Sequence, residues 1–405
     1  MPAILGRGVH SYKRGACVDN HETAALAARV EQSMHAFRRT SPLTPLDTPA
    51  GVFYTITRWD GGPYAQPMAW LATSGCSHVA RHGGCTMCDF GYGQFTWDEI
   101  LSGLADVLAG LRGAPLLHLF PSGSYLDEAE MPREIAKTAF KMAVDSGARE
   151  IGIESRCEFV TADALMELLR DFSGSGGRSL ETVSIGIGVE CFDETVGTVC
   201  VNKHSNREGA SRTPETLASV RDALAPLKVV SEAHVLLKPP GFSEREAVED
   251  AVKATLWCFE SGFDRVILMP CSVKPGSILY ELTMGSVSLE YSYQPPSLWS
   301  VAEFFTRIPE GLLPRLRVHG FASNTPLGIG PTTCPACHEA VVALLQFFNA
   351  TGKRAALDAV DRISCPCRHA WREQMQTEVP ESLDARVEAF VVALEIAAGR
   401  EAAAR

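Results

Sequence analysis

The chain has 405 residues, 46% of them hydrophobic and 21% charged, the composition of an ordinary globular protein long enough for one large domain plus a smaller one. No stretch approaches the roughly 20 apolar residues of a membrane span. The N-terminal MPAILGRGVHSYKRGACVDN lacks an apolar core followed by a small-residue cleavage site, so no membrane and no secretory signal are expected, and a cytoplasmic location is. Asp and Glu number 48 against 37 Lys and Arg, a formal charge of -11; this weighs against a nucleic-acid partner, whose binding rests on Lys and Arg neutralising phosphates, and leaves room for a local basic patch.

Residues 21–39, HETAALAARVEQSMHAFRR, have helical spacing, and PLTPLDTP then breaks the chain, predicting an N-terminal helical extension and linker over 1–50. From about 52 to 270 short apolar runs alternate with longer helical ones, the rhythm of repeated β/α units around a parallel sheet. Strands are expected at MAWLAT (68–73), LLHLF (116–120), EIGIE (150–154), VSIGIGV (183–189), AHVLLK (233–238) and RVILMP (265–270). Helices are expected at 97–111, 132–146, 162–172, 214–224 and 244–260. Six units result, an α/β fold in the form of a partial (β/α)6 barrel over 51–305. Past residue 300 the rhythm lapses, and a Cys-bearing segment with an amphipathic helix (382–398) predicts a small Cys-rich C-terminal domain over 306–405.

Polar or Gly-rich residues follow nearly every expected strand: SGC, PSGSYLD, SRCE, ECFDE, KPPG and CSVKPG. Ligand sites in barrel and open α/β folds lie at the C-terminal ends of parallel strands, so these six tips are expected to face one pocket.

Thirteen cysteines in a reducing compartment do not read as a disulfide framework, and metal ligation accounts better for those that cluster. Cys76, Cys85 and Cys88 lie on the loop GCSHVARHGGCTMCDFGYG after the first strand. Structural zinc would need a fourth ligand there, His78 or His82; a redox pair would leave Cys76 idle; three thiolates can also hold three irons of a [4Fe–4S] cluster and leave the fourth open. Cys334, Cys337, Cys365 and Cys367 form CxxC and CxC pairs. Four ligands and no open position suit structural zinc, a second iron–sulfur cluster is the rival, and His338 and His369 flank the set.

An open iron above a six-unit β/α sheet resembles the radical S-adenosylmethionine superfamily. The long gap between Cys76 and Cys85 resembles its Elongator-catalytic-subunit-like branch, and within it the archaeosine synthase radical subunit. GGCTMCDFGYG, PSGSYLD (121–127), IESR (153–156), GIGVE (186–190), VNK (201–203), LLKPPGFSEREAVED (236–250), LMPCSVKPG (268–276), YQPPSLWS (293–300), GPTTCPAC (330–337) and CPCRHAW (365–371) carry the likeness.

The resemblance implies that S-adenosylmethionine chelates the open iron and is cleaved reductively to a 5′-deoxyadenosyl radical, with electrons from a donor such as flavodoxin or ferredoxin. It implies that Ser122, Gly123 and Ser124 stand where the family usually has Gly-Gly-Glu and meet the methionyl amine through backbone carbonyls. Glu154, Ser155 and Arg156 suit the cofactor's carboxylate and ribose. Gly188 lets the backbone approach the nucleoside, and Glu190 points into the pocket. Lys238 is expected to hold a substrate carboxylate or phosphate, or to be solvated; Cys271 to donate a hydrogen atom to a product radical, or to be a buried structural cysteine. The expected substrate is a small molecule, nucleoside- or amino-acid-derived, with tRNA modification of the archaeosine type as the alternative.

Overall fold

The computed structural model describes residues 20–403, apart from 42–44, 90, 174–179, 205, 285–290, 322–327 and 378. Cys17 and the first part of the 1–50 extension lie outside the described residues. In chain order the elements are α1 (Asn20–Thr40), β1 (Ala50–Trp59), β2 (Gly62–Leu71), α2 (Ser77–His82), α3 (Trp97–Gly110), β3 (Leu116–Pro121), α4 (Arg133–Asp145), β4 (Glu150–Glu154), α5 (Ala162–Leu169), β5 (Thr182–Glu190), α6 (Arg207–Leu224) and β6 (Lys228–Leu237). They continue with α7 (Glu244–Glu260), β7 (Arg265–Pro270), α8 (Ile278–Met284), α9 (Leu298–Thr306), β8 (Leu316–Val318), α10 (His338–Thr351), α11 (Arg354–Asp361), α12 (Pro366–Gln376) and α13 (Leu383–Ala403).

One eight-stranded sheet runs in chain order from β1 to β8. Strands β2 to β7 are the six expected ones, and all neighbours from β2 onward are parallel. β1 adds an antiparallel edge strand that the six-unit reading lacks; it turns into β2 through Asp60 (φ 49°) and Gly61 (φ 78°), both left-handed as a two-residue hairpin turn requires. β8 continues the parallel sheet from within the 306–405 segment. Helix α6 begins at Arg207, not at 214, because the Asn206 side chain accepts the Gly209 N–H at 2.7 Å and caps the helix there; Pro214 lies inside it.

The parallel strands alternate in a way that decides where polar chemistry can sit. On one face Leu117, Leu119, Ile151, Ile153, Val183 and Ile185 are all buried, each removal of such a side chain from water contributing about 1.5–3 kcal/mol. The opposite face pairs His118 with Gly152 and Gly152 with Ser184 across the ladders, then Glu154 with Gly186, Gly186 with Glu232, and Glu232 with Arg265. The interior of the curled sheet is therefore polar.

The sheet does not close by a backbone ladder. Asn349, buried near the end of α10, donates through Nδ2 to the Val318 carbonyl (2.6 Å) and the Ile56 carbonyl (3.1 Å) and accepts the Val318 N–H (2.9 Å), so one side chain bridges β8 to β1. Arg58 of β1 reinforces the seam by donating to the carbonyls of Leu313 and Leu316. Helix α1 lies against α13, where Arg29 meets Glu388 (2.6 Å) and Glu395 (2.8 Å).

Candidate active site

Cys76 is the residue that caps α2, directly past the C-terminal end of β2, and Cys85 and Cys88 follow on the same loop, the Cys88 N–H donating to the Cys85 carbonyl at 3.1 Å. Burial pushes the thiols of Cys76 and Cys85 up to about 12, each raised further by its cysteine neighbours, while Lys203 and Arg156 act in the opposite sense on Cys85. Crowded thiols of this kind shed their protons to a bound cation.

The loop is held from three sides. Thr86 donates its N–H to the Val201 carbonyl (3.1 Å) and its hydroxyl to the Cys200 carbonyl (2.6 Å). The Asn202 amide donates to the carbonyls of His82 (2.9 Å) and Gly84 (2.8 Å), and His78 Nε2 donates to the Asn202 carbonyl at 2.6 Å. Burial holds the His78 imidazole down at about 3, neutral; among the described residues the ligand atoms of Cys76, Cys85 and Cys88 do not gather within 4.8 Å of one another, with or without His78 or His82. From α1, Arg38 donates to the Cys88 carbonyl (2.9 Å) and the Gly276 carbonyl (2.7 Å).

The neighbouring tips come together under this loop. Glu130, 1% exposed, accepts the N–H groups of Ser77 (2.6 Å) and Ser124 (2.5 Å), joining the Ser122-Gly123-Ser124 tip to the cysteine loop. A Cβ on Gly123 would stand 1.9 Å from Glu130 Oε2 and 2.9 Å from Cys76 Cα, so only glycine fits. Ser122 donates its N–H to Thr73 Oγ1 (3.2 Å), and Ser124 Oγ accepts the Arg156 N–H (3.2 Å). Ser155 presents a buried hydroxyl with no hydrogen-bond partner, an orphan of the kind a ligand satisfies. Arg156 is paired with Glu158 (2.5 Å) and donates to the Lys203 carbonyl (3.0 Å). Glu190, at φ 67°, forms an ion pair with Lys203, and the space above Gly188 is taken by these two groups: a Cβ there would lie 1.9 Å from both Glu190 Oε1 and Lys203 Nζ.

Below the tips, His118 Nε2 lies 3.2 Å from Glu154 Oε1, and His234 Nε2 lies 3.7 Å from Glu232. Burial alone would raise the Glu154 carboxyl, but His234 and His118 hold it at about 2. Gly152 and Gly186 make this possible, since a Cβ would stand 2.3 Å from His118 Nδ1 at the first and 3.0 Å from His234 Nε2 at the second.

Lys238 is neither solvated nor free. It is buried at φ 60°, its ammonium 2.7 Å from Glu244, and Glu244 also accepts the Ser297 N–H and the Ser300 hydroxyl. Cys271 is buried beside it, its carbonyl and that of Lys238 sharing the Tyr293 hydroxyl at 3.3 and 2.7 Å. Burial pushes the Cys271 thiol up to about 11.

The second cysteine set gathers completely. Sγ–Sγ separations are 3.6 Å for Cys334–Cys337, 3.3 Å for Cys334–Cys365, 3.4 Å for Cys337–Cys367 and 3.4 Å for Cys365–Cys367. Four thiolates about 2.3 Å from one tetrahedral ion are about 3.8 Å apart, so the set matches a single metal ion, with no need of His338 or His369. Cys367 lies in the first turn of α12, and although burial opposes its ionisation, hydrogen bonds from the Cys334 backbone and from Trp299 Nε1 (3.3 Å) bring it to about 6.

No family model matches the chain. It is 26% identical over 331 residues to an uncharacterised protein of Methanocaldococcus jannaschii, covering 76% of this chain and 81% of that one. It is 23% identical over 342 residues to the archaeosine synthase subunit beta of Methanosarcina acetivorans (83% and 92% covered) and 26% identical over 310 residues to that of Thermococcus kodakarensis (74% and 89%). Most of the chain is thus similar to archaeosine synthase subunit beta. The resemblance to the radical S-adenosylmethionine superfamily drawn from the motifs stands beside a similarity that extends over most of the chain. The residues fit what an enzyme of that superfamily binds: three thiols on one loop for the cluster, and at the next tips an orphaned Ser155 hydroxyl. Among the described residues no helix is long and apolar enough to cross a membrane.

Several residues that build this site carry no motif. Glu130 and Arg38 look like ordinary surface charges in sequence, and His118 and His234 like strand residues of no consequence. The alternation of LLHLF and SEAHVLL, a histidine placed in phase with small or charged residues of neighbouring strands, was the available signal for the last two.

Proposed function

We propose that the chain cleaves S-adenosylmethionine reductively at a [4Fe–4S] cluster held by Cys76, Cys85 and Cys88 and uses the 5′-deoxyadenosyl radical to abstract hydrogen from a small-molecule, nucleoside- or amino-acid-derived substrate in a biosynthetic pathway. The observation that carries this reading is the polar interior beneath the cysteine loop, where His118, Glu154 and His234 line the sheet in place of the apolar side chains that would fill a merely structural barrel. Ser155 and the backbone of Ser122 to Ser124 orient the cofactor, and Lys203 with Glu190 closes the side next to Cys85. Lys238, paired with Glu244, positions the fifth tip, and Cys271 stands close enough to that tip to serve as a hydrogen-atom donor. The Cys334 set holds zinc. A flavodoxin- or ferredoxin-type donor supplies the electron, and the protein works in the cytoplasm, where thiols stay reduced.

A second reading is favoured by the two relatives named archaeosine synthase subunit beta: modification of tRNA, with cleavage of a lysine side chain carried on a deazaguanine base. The net charge of -11 supports the small molecule. Anaerobic incubation of the reconstituted protein with S-adenosylmethionine and dithionite, with and without bulk tRNA, separates the two. Formation of 5′-deoxyadenosine that is indifferent to tRNA supports the first; stimulation by tRNA selects the second; none under either condition, with a full complement of iron, sinks both.

A further inference from the structure

Besides the Cys334 set, one other group among the described residues brings metal-ligand atoms together, and it contains no cysteine: Glu31, His82 and His204, whose ligand atoms all lie within 4.8 Å of one another. They come from three separate segments. Glu31 is on α1, His82 ends α2 between Cys76 and Cys85, and His204 follows the VNK stretch after β5.

Glu31 Oε1 is 3.0 Å from His82 Nδ1 and 3.0 Å from His204 Nε2, and His204 Nε2 is 3.0 Å from Asn202 Oδ1. The two imidazoles stack with ring centroids 4.4 Å apart. With metal–nitrogen and metal–oxygen bonds of about 2.0–2.2 Å, neighbouring donors on a tetrahedral zinc ion stand about 3.3 Å apart, so the three side chains and the amide oxygen already outline such a site. Zinc takes this nitrogen and oxygen donor set readily, and the carboxylate offsets half of its charge.

The surroundings are organised as a second shell. Asn202 is held by its amide donating to the His82 and Gly84 carbonyls, and its own carbonyl accepts from His78. Asn202 (φ 56°) and His204 (φ 58°) both adopt left-handed backbone, which turns the short segment back so that both side chains face α2. Side-chain exposures of 29% for Glu31, 31% for His82 and 24% for His204 leave the site within reach of an ion from solvent.

We propose that Glu31, His82 and His204, with the Asn202 amide oxygen as fourth donor, bind one Zn2+ ion separate from both cysteine sets, and that this ion ties α1 to the loop between Cys76 and Cys85. The test uses the full chain with its cluster reconstituted, saturated with Zn2+, freed of excess and analysed for zinc and iron. The variant Glu31→Gln/His204→Gln should hold about one molar equivalent less zinc with iron unchanged, and the rise in its thermal midpoint on adding Zn2+ should be smaller than that of the parent. Should that variant not fold, Glu31→Gln alone, which keeps an accepting oxygen and the same volume, should weaken zinc at this site about tenfold or more in competition with a chromophoric chelator. Equal zinc content in parent and double variant, or equal zinc affinity in parent and Glu31→Gln, overturns the proposal and leaves a hydrogen-bonded cluster.

Discussion

The Glu130 carboxylate accepts the Ser77 N–H at 2.6 Å, so an acid with no place in any motif anchors the residue that follows Cys76. Its other oxygen accepts the Ser124 N–H, and Glu130→Ala leaves a buried and a part-buried donor without an acceptor. Each orphaned N–H costs about 1–3 kcal/mol. Thermal unfolding should show the loss, and iron content after reconstitution should fall although all three cysteines remain; an unchanged midpoint would falsify the anchoring role.

Gly188 is the second place where one atom decides. A methyl group there would sit 1.9 Å from both Glu190 Oε1 and Lys203 Nζ, breaking the pair or bending β5. Gly188→Ala should cost about 1–3 kcal/mol, as overpacking does, and reduce 5′-deoxyadenosine formation. Gly197→Ala, where a Cβ meets nothing within 4 Å, is the control; equal midpoints for the two variants would refute the crowding argument.

His234 makes stability depend on pH in a direction that can be worked out. Burial lowers its pKa, but Glu154 and Glu232 outweigh burial and the net shift is upward from 6.5. The stabilisation from its charged form is therefore fully present below about pH 6.5 and is lost as pH rises through the higher folded value. The stability difference between the parent and His234→Gln, followed by denaturant unfolding from pH 6 to 9, should shrink with rising pH. A difference that stays level or grows contradicts the assigned pairing.

Lys238→Met leaves the Glu244 carboxylate buried among Ser297 and Ser300 without its cation. Removing one partner of a buried pair costs about 3–5 kcal/mol, whereas replacing both is far milder. Lys238→Met/Glu244→Gln should recover most of the loss in thermal midpoint. If the single variant is as stable as the parent, the lysine is not a structural partner and a role in holding substrate gains ground.

The two cysteine sets should respond differently to the same substitution. Cys76→Ala, Cys85→Ala and Cys88→Ala should each abolish 5′-deoxyadenosine formation, while Cys334→Ala should mainly lower the unfolding temperature and the zinc content. Full cleavage activity in any of the first three would overturn the cluster assignment.

Much of this architecture is legible in the chain because the signals are periodic or chemical. The six parallel strands coincide with short apolar runs, and the tips beyond them hold the residues that the resemblance points to. The β1 hairpin was marked by Asp60-Gly61 after VFYTITRW, but that strand is not a continuous apolar run of the kind that marks the six parallel ones. β8 is three residues long, too short for any pattern. Lys238 and Glu244 belong to one stretch of sequence, LLKPPGFSE, yet nothing in it tells that both side chains would be buried together; that follows only from Ser297 and Ser300 packing over them. Glu130 and Arg38 were silent for the same reason, since their work is done on backbone groups of distant loops.

Asn349 gives the molecule a mechanical property. Because the Asn349 amide and the Arg58 guanidinium join the first and last strands, the seam of the sheet is held by side chains, one of them carried by α10, rather than by a ladder. That helix starts at His338, immediately after Cys337, and is about 21 Å long at 1.5 Å per residue. It links the four-thiol knot before its first turn to the seam of the sheet near its last, so loosening of the knot would be felt where β8 meets β1.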